Sequence, residues 1–401
     1  MTHKSKQVMK FAPFFVLLTL LFLVGCDTAD TPATPPVLNS KSVVSETTNT
    51  ESRFTSQELQ KLRNIIKSEQ RRANIPGIAV AVIERDQIIF VEGFGVRSLD
   101  TQEPVTPETL FHIGSTHKSI TAMLWATIID EGRFSWDMPV TDIYPDFRLS
   151  DPQATSQLRL HHLLNMTSGI PDDTEALFDA EYDSPTDLFD LLAEAELSAL
   201  PGEDFSYSNL TSSAAGYLAV LADGGDQANL YEGYEATLQR RILDPIGMQN
   251  ATLSVDEARR RPDYAVGHIY NDDDEVVVAE SYDVVGDALA PSGGLKANVQ
   301  DMAAYLSTQL NHGVAPNGQR IVSADSLHET WQPYLEEYAL GWEIRMDNGD
   351  RVISHEGSYD SFNSLLMFSP KRNVGLVILT NTDEPDVALV LMAQAFIALS
   401  R

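Results

Sequence analysis

Apolar residues recur at helical spacing from Ser56 through Arg72, with Leu59, Leu62, Ile65 and Ile66 on one stripe, the period of an amphipathic helix. Two strand-like runs follow, Ile78–Ile83 and Gln87–Val91, separated by the charged turn Glu84-Arg85-Asp86 and closed by Gly93 and Gly95. Ser119 to Asp130 reads as an apolar helix. From about 137 to 290, short helical patterns alternate with loops rich in Pro, Asp and Gly. Three strand candidates, Gly341–Met346, Phe362–Phe368 and Val374–Thr380, precede a last apolar helix from Asp386 to Leu399. Strands split between the two ends of a chain predict one sheet built from both. The pattern therefore predicts an α+β domain over residues 56–401. Its antiparallel sheet is assembled from both chain ends and flanked by the terminal helices, with an inserted, mainly helical lobe at about 137–290. A ligand is expected where the two lobes meet.

The first 55 residues follow other rules. Lys4, Lys6 and Lys10 precede an apolar run, Phe11 to Val24, interrupted by Pro13 and Thr19. The run is shorter than the roughly 20 residues a spanning helix needs and has the shape of a secretory signal peptide. It ends in Leu23-Val24-Gly25-Cys26, which resembles the lipobox of bacterial lipoproteins. That resemblance implies cleavage after residue 25, a diacylglyceryl group on Cys26, and an exported chain anchored by lipid to the bacterial cell envelope, on its periplasmic face or the cell surface. Residues 26–55, rich in Thr, Ser and Pro, are expected to form a flexible tether.

Charge and cysteine content narrow the function. With 28 Lys+Arg against 58 Asp+Glu the formal net charge is −30. A chain this acidic repels nucleic-acid phosphates, so no nucleic-acid partner is expected. Cys26 is the single cysteine; it permits neither an internal disulfide nor a multi-cysteine metal site. No His-Glu-x-x-His or Gly-x-Ser-x-Gly occurs, which argues against a zincin and an α/β-hydrolase.

Three separated segments carry candidate chemistry. In Gly114-Ser115-Thr116-His117-Lys118, Ser-x-x-Lys spans one helical turn and puts both side chains on one face. A serine at a helix start lies beside unpaired N–H groups that stabilise an oxyanion, and a desolvated lysine loses basicity and can take the serine proton. Alone the pattern is weak, with about one or two copies expected by chance, and it also fits a serine N-cap followed by a solvated lysine. Tyr207-Ser208-Asn209, downstream, offers a phenol to shuttle a proton and an amide to hold substrate or orient the lysine; by itself it is also an ordinary polar turn. His355-Glu356-Gly357-Ser358 precedes the strand candidate Phe362–Phe368. There Gly357 would let a substrate backbone approach, the Ser358 N–H would be a second oxyanion donor, and His355 would donate to a substrate carboxylate or carbonyl.

Together these segments resemble the serine β-lactamase, penicillin-binding-protein and related esterase family, in its class C-type branch, with Tyr-Ser-Asn where class A has Ser-Asp-Asn. Ile75-Pro76-Gly77-Ile78, Leu163-Leu164-Asn165-Met166-Thr167-Ser168-Gly169, Pro245-Ile246-Gly247-Met248, Pro291-Ser292-Gly293-Gly294-Leu295 and Tyr338-Ala339-Leu340-Gly341-Trp342 match further segments in order. The resemblance implies acyl transfer to Ser115 from an ester, amide or lactam carbonyl of a small molecule or peptide, with Lys118 and Tyr207 handling protons and no metal or cofactor. Which of the two is the base stays open, because close groups titrate together. His355 stands where β-lactamases carry the lysine of Lys-Thr-Gly, which favours esterases, peptidases and amidases. Met166 replaces the usual histidine, and Ser361 a common glycine. The competing reading is a non-catalytic penicillin sensor or cell-wall-binding lipoprotein on the same fold.

Overall fold

The computed structural model describes residues 52–172, 184–279, 287–383 and 385–401; the leader, Cys26 and most of the expected tether lie outside the described residues. Ten strands run in chain order: β1 (Gly77–Glu84), β2 (Gln87–Gly95), β3 (Phe111–His112), β4 (His268–Tyr270), β5 (Val276–Val278), β6 (Lys296–Ala297), β7 (Glu343–Asp347), β8 (Asp350–Tyr359), β9 (Phe362–Ser369) and β10 (Val374–Thr380). Six of them form the main sheet, in the order β2-β1-β10-β9-β8-β7. Every pairing in it is antiparallel, and β1 pairs with β10 from Ile78↔Thr380 to Glu84↔Val374. The sheet is thus closed between the two ends of the chain, as the pattern predicts.

Both faces of the sheet are covered, so its central strands lose the polar alternation of a half-exposed sheet. β1, β9 and β10 are buried at every position. Ile78, Val80, Val82, Met367 and Ile378 face Leu62, Ile66, Met392 and Phe396 of the terminal helices Ser56–Arg72 and Asp386–Leu399. Ala79, Ala81, Leu366, Val377 and Leu379 face the other way, into the core shared with the helical lobe. The first helix starts at a reciprocal cap: the Glu58 N–H donates to Thr55 Oγ1 at 3.2 Å and the Thr55 N–H to Glu58 Oε2 at 2.7 Å. Ser52 and Arg53 hydrogen-bond Glu84, and buried Phe54 stacks on Phe396 at 5.6 Å. The described chain is therefore seated on the domain from Ser52, three residues before the expected end of the tether, because Phe54 has an apolar partner.

The inserted region holds mainly helices, including Asn209–Ala222, and one small hairpin of β4 and β5 that the pattern did not predict. The β3–β6 pair, with Phe111↔Ala297 and His112↔Lys296, brings the Pro291–Gly294 segment against the start of the helix His117–Ile129.

Candidate active site

Ser115 lies in a single 3₁₀ turn, Gly114–Thr116, that leads into the helix His117–Ile129. The turn is pinned at its base. The Ile113 carbonyl accepts from Ser364 Oγ at 2.6 Å and from Thr116 Oγ1 at 2.7 Å. Gly114 has φ +52°, and a Cβ there would fall 2.6 Å from the Ser358 carbonyl oxygen. Ser115 remains partly exposed, whereas Lys118, one turn on, is fully buried.

The three separated segments do converge. Lys118 Nζ is 2.9 Å from Ser115 Oγ, 2.6 Å from Asn209 Oδ1 and 3.1 Å from the Ser292 carbonyl oxygen. It lies 4.8 Å from the centre of the Tyr207 ring, and the Tyr207 hydroxyl is hydrogen-bonded to Ser115. Tyr207 stands just before Ser208, whose side chain caps the helix Asn209–Ala222, and Asn209 is that helix's first residue. Met166, at φ +63°, supports the approach to this helix: its carbonyl accepts from the Ser206 N–H at 2.8 Å and its sulfur from the Ser208 N–H at 3.3 Å.

Burial sets the protonation states. Desolvation pulls Lys118 from 10.5 down to about 7, against an opposing pull from the Asp172 carboxylate. It also pushes the Tyr207 phenol well above its ordinary value, the Ser115 hydrogen bond acting the other way. In the free protein the amine, partly deprotonated near pH 7, and not a phenolate, is therefore the group able to accept a proton. A neutral Lys118 can accept the Ser115 proton across the 2.9 Å contact, and a protonated Tyr207 can donate one.

His355 is 3% exposed and both its ring nitrogens are occupied within the protein. Nδ1 faces the Glu356 carbonyl at 2.5 Å, which can only accept, so Nδ1 carries the proton and Nε2 accepts from the Tyr338 hydroxyl at 2.9 Å. Desolvation, then the Lys118 charge, lowers His355 to about 3. It is a neutral partner of Tyr338, whose ring meets that of Tyr207 edge-on at 6.3 Å. A Cβ at Gly357 would lie 2.2 Å from the Ile113 carbonyl oxygen, 2.5 Å from Ser364 Oγ and 3.0 Å from the Ser115 nitrogen. The Ser115 turn thus packs directly on Gly357. Ser358, at the end of β8, is exposed, and its backbone runs against Gly114.

Asn209 orients the lysine. Its amide oxygen accepts from Lys118, and its Nδ2 donates to Asp172 Oδ2 at 2.9 Å. Asp172, Tyr338 and the Ser292 carbonyl complete the site and are not among the residues the sequence singled out. Asp172 directly follows Gly169-Ile170-Pro171, but no local pattern marks it.

Known proteins share this arrangement of chain. The Beta-lactamase family profile matches residues 62–398. The chain is 24% identical over 332 residues to Protein flp of Staphylococcus aureus (strain MW2), a match covering 82% of this chain and 64% of flp. It is 27% identical over 343 residues to the Unguisins hydrolase ungD' of Aspergillus campestris (strain IBT 28561), covering 80% of this chain and 61% of the relative. The chain thus spans less than two thirds of the length of these relatives. Among solved structures, the octameric penicillin-binding protein homologue from Pyrococcus abyssi is similar with a TM-score of 0.73 at 26% identity, over 85% of this chain and 77% of that one.

Proposed function

This chain belongs to the Beta-lactamase family, and from that premise we propose that it is a serine hydrolase working through an acyl-enzyme on Ser115. The observation that carries the reading is the 2.9 Å contact between Ser115 Oγ and a lysine amine that burial brings to about 7. Neutral Lys118 takes the Ser115 proton as the hydroxyl attacks the carbonyl carbon. The oxyanion is held by the Ser115 N–H, with that of Ser358 as second donor. Tyr207 protonates the leaving group, and water then releases the acyl group.

The charges around the amine favour uncharged carbonyl substrates. β-Lactams and D-Ala-D-Ala peptides carry a carboxylate beside the scissile bond. Among the described residues, the titratable groups acting on Lys118 and Tyr207 are His117 and His355, both held neutral with values of about 3, the phenol Tyr338, which burial keeps protonated, and the acids Asp172 and Glu343. Residues 173–183 and 280–286 contain acids and no Lys, Arg or His. Short-chain esters and small amides therefore head the substrate order, peptides follow, and lactams come last. The same reading keeps Cys26 as the lipid anchor of an exported enzyme; a Cys26→Ser variant that stays in the detergent phase with the wild type would refute that part.

The test is turnover of nitrophenyl butyrate by wild type and Ser115→Ala. The variant should lose several orders of magnitude in kcat/KM; near-wild-type turnover would end the proposal. Stable labelling of Ser115 by a fluorophosphonate, with no ester, peptide or lactam turned over, would move the protein to the penicillin-recognising binders.

A further inference from the structure

We propose that Asp172 is a positioning residue of this acyl-transfer site: its carboxylate fixes which end of the Asn209 amide meets Lys118, and so keeps the amine on the nucleophile. The inference rests on the proposed roles of Ser115 and Lys118.

The clamp has two arms. Asp172 Oδ1 accepts from the Asn209 main-chain N–H at 3.0 Å, and Oδ2 accepts from Asn209 Nδ2 at 2.9 Å. Both are bonds to an ionised acceptor, which are roughly twice as strong as neutral ones. An asparagine amide has a nearly symmetric shape and two chemically opposite ends. With Nδ2 held by the carboxylate, Oδ1 must face Lys118, and it does, at 2.6 Å. Turned over, the amide would set its oxygen against the carboxylate, a repulsion, and its NH₂ against an amine that has no lone pair to accept with whenever it is protonated. The backbone arm matters as much, because Asn209 is the first residue of the helix Asn209–Ala222. The carboxylate therefore fixes both the start of that helix and the rotor it carries.

The placement also has an electrostatic consequence. Among the described residues, the charged and titratable groups acting on Lys118 or on its neighbour Tyr207 are Asp172, Glu343, His117, His355 and Tyr338. The two imidazoles are neutral, and Glu343 acts on Tyr207. Asp172 is the anion that opposes burial at Lys118 and keeps the amine partly protonated. Removing its charge should make the amine easier to deprotonate while loosening its aim.

The experiment is the pH profile of kcat/KM for nitrophenyl butyrate with wild type, Asp172→Asn, Asp172→Ala and Asp172→Glu. In the Asn and Ala variants the acid limb should move to lower pH by roughly half a unit or more, and the plateau kcat should fall about tenfold with KM little changed. Asp172→Glu keeps the charge and should return the limb toward the wild-type position. Purely structural loss would lower the amount of active protein without moving the limb. Asp172→Ala carries the test should the amide variant not fold. A wild type whose turnover needs Ser115, paired with variants whose limbs superimpose on it or move to higher pH, would overturn the clamp alone. A wild type whose turnover survives Ser115→Ala would overturn the underlying reading, and the clamp with it.

Discussion

Replacing Lys118 by methionine should abolish turnover and, at the same time, flatten the dependence of stability on pH. Unfolded, the lysine titrates at its ordinary 10.5; folded, at about 7. Between those values the unfolded chain binds a proton that the folded chain does not, so stability rises with pH across that window. Below pH 7 both states are protonated and the fold carries the full cost of a buried ammonium, about 5 kcal/mol for a shift of this size at ~1.36 kcal/mol per pH unit. Above 10.5 that cost is gone. Integrated from pH 6.5 to 9, the wild type should gain about 2–3 kcal/mol that Lys118→Met does not gain. Absolute stability at one pH is a poor readout, because the variant leaves Asn209 Oδ1 and the Ser292 carbonyl without their donor, at about 1–3 kcal/mol each. The difference of differences removes that constant and cancels ionisations common to both proteins. His117 and His355 are both lowered to about 3 from 6.5, so their own rise falls mostly below this window. Urea unfolding of both proteins at the two pH values is the assay. Parallel stability-versus-pH lines would show that Lys118 is not a depressed amine, and the base assignment would fail with it.

Three other outcomes follow from the geometry. Tyr207→Phe should lower kcat by about 10²–10⁴-fold while leaving the acid limb of the pH profile near 7, since that limb belongs to Lys118; a limb that vanishes with the phenol would make Tyr207 the base. Gly357→Ala forces a Cβ to within 2.2 Å of the Ile113 carbonyl, so β8 must retreat by about 1 Å and kcat/KM for the ester should fall by about 100-fold; unchanged kinetics would mean the turn and strand are not held together. Tyr338→Phe strips the donor from buried His355 Nε2 and should lower unfolding free energy by about 1–3 kcal/mol, read by denaturant titration; no loss would show that the histidine is not anchored there.

What the sequence reveals is what its local physics decides. The terminal helices run Ser56–Arg72 and Asp386–Leu399, as their patterns predict, because the cap and apolar stripe of the first and the continuous apolar run of the last are local signals. The Ser115–Lys118 spacing is equally local. β8 escapes the pattern: Asp350–Tyr359 carries Ser354, His355, Glu356, Gly357 and Ser358 where a strand usually shows branched apolar residues. It lies inside the sheet because its backbone pairs with β7 on one side and β9 on the other, and the buried His355 finds a partner in Tyr338. The strand candidate at Gly341 starts late for a related reason. Gly341 has φ +70° and packs on the Lys118 backbone, with a hypothetical Cβ 2.7 Å from its carbonyl carbon, so β7 begins only at Glu343. Asp172 was invisible because its partner lies 37 residues away, and no composition or period encodes that contact. The base could not be chosen between Lys118 and Tyr207 from sequence, since burial drives both shifts and burial is a property of the closed fold.

That last point governs the chemistry as a whole. Ser115 and Lys118 meet within one helical turn, so the contact itself asks little of the rest of the chain. Their reactivity asks for nearly all of it. The amine is depressed only when Asn209, Ser292, Tyr207 and His355 enclose it, and these arrive from the helical lobe and from β8. The nucleophile turn is fixed only when Ser364 on β9 reaches the Ile113 carbonyl, and β9 is placed by β10, which pairs with β1 from the opposite end of the domain. A chain that has formed the helix His117–Ile129 but not closed its sheet therefore holds an ordinary serine beside an ordinary, protonated lysine. Nucleophilicity appears with closure of the sheet, as a consequence of folding and not as a property of the motif.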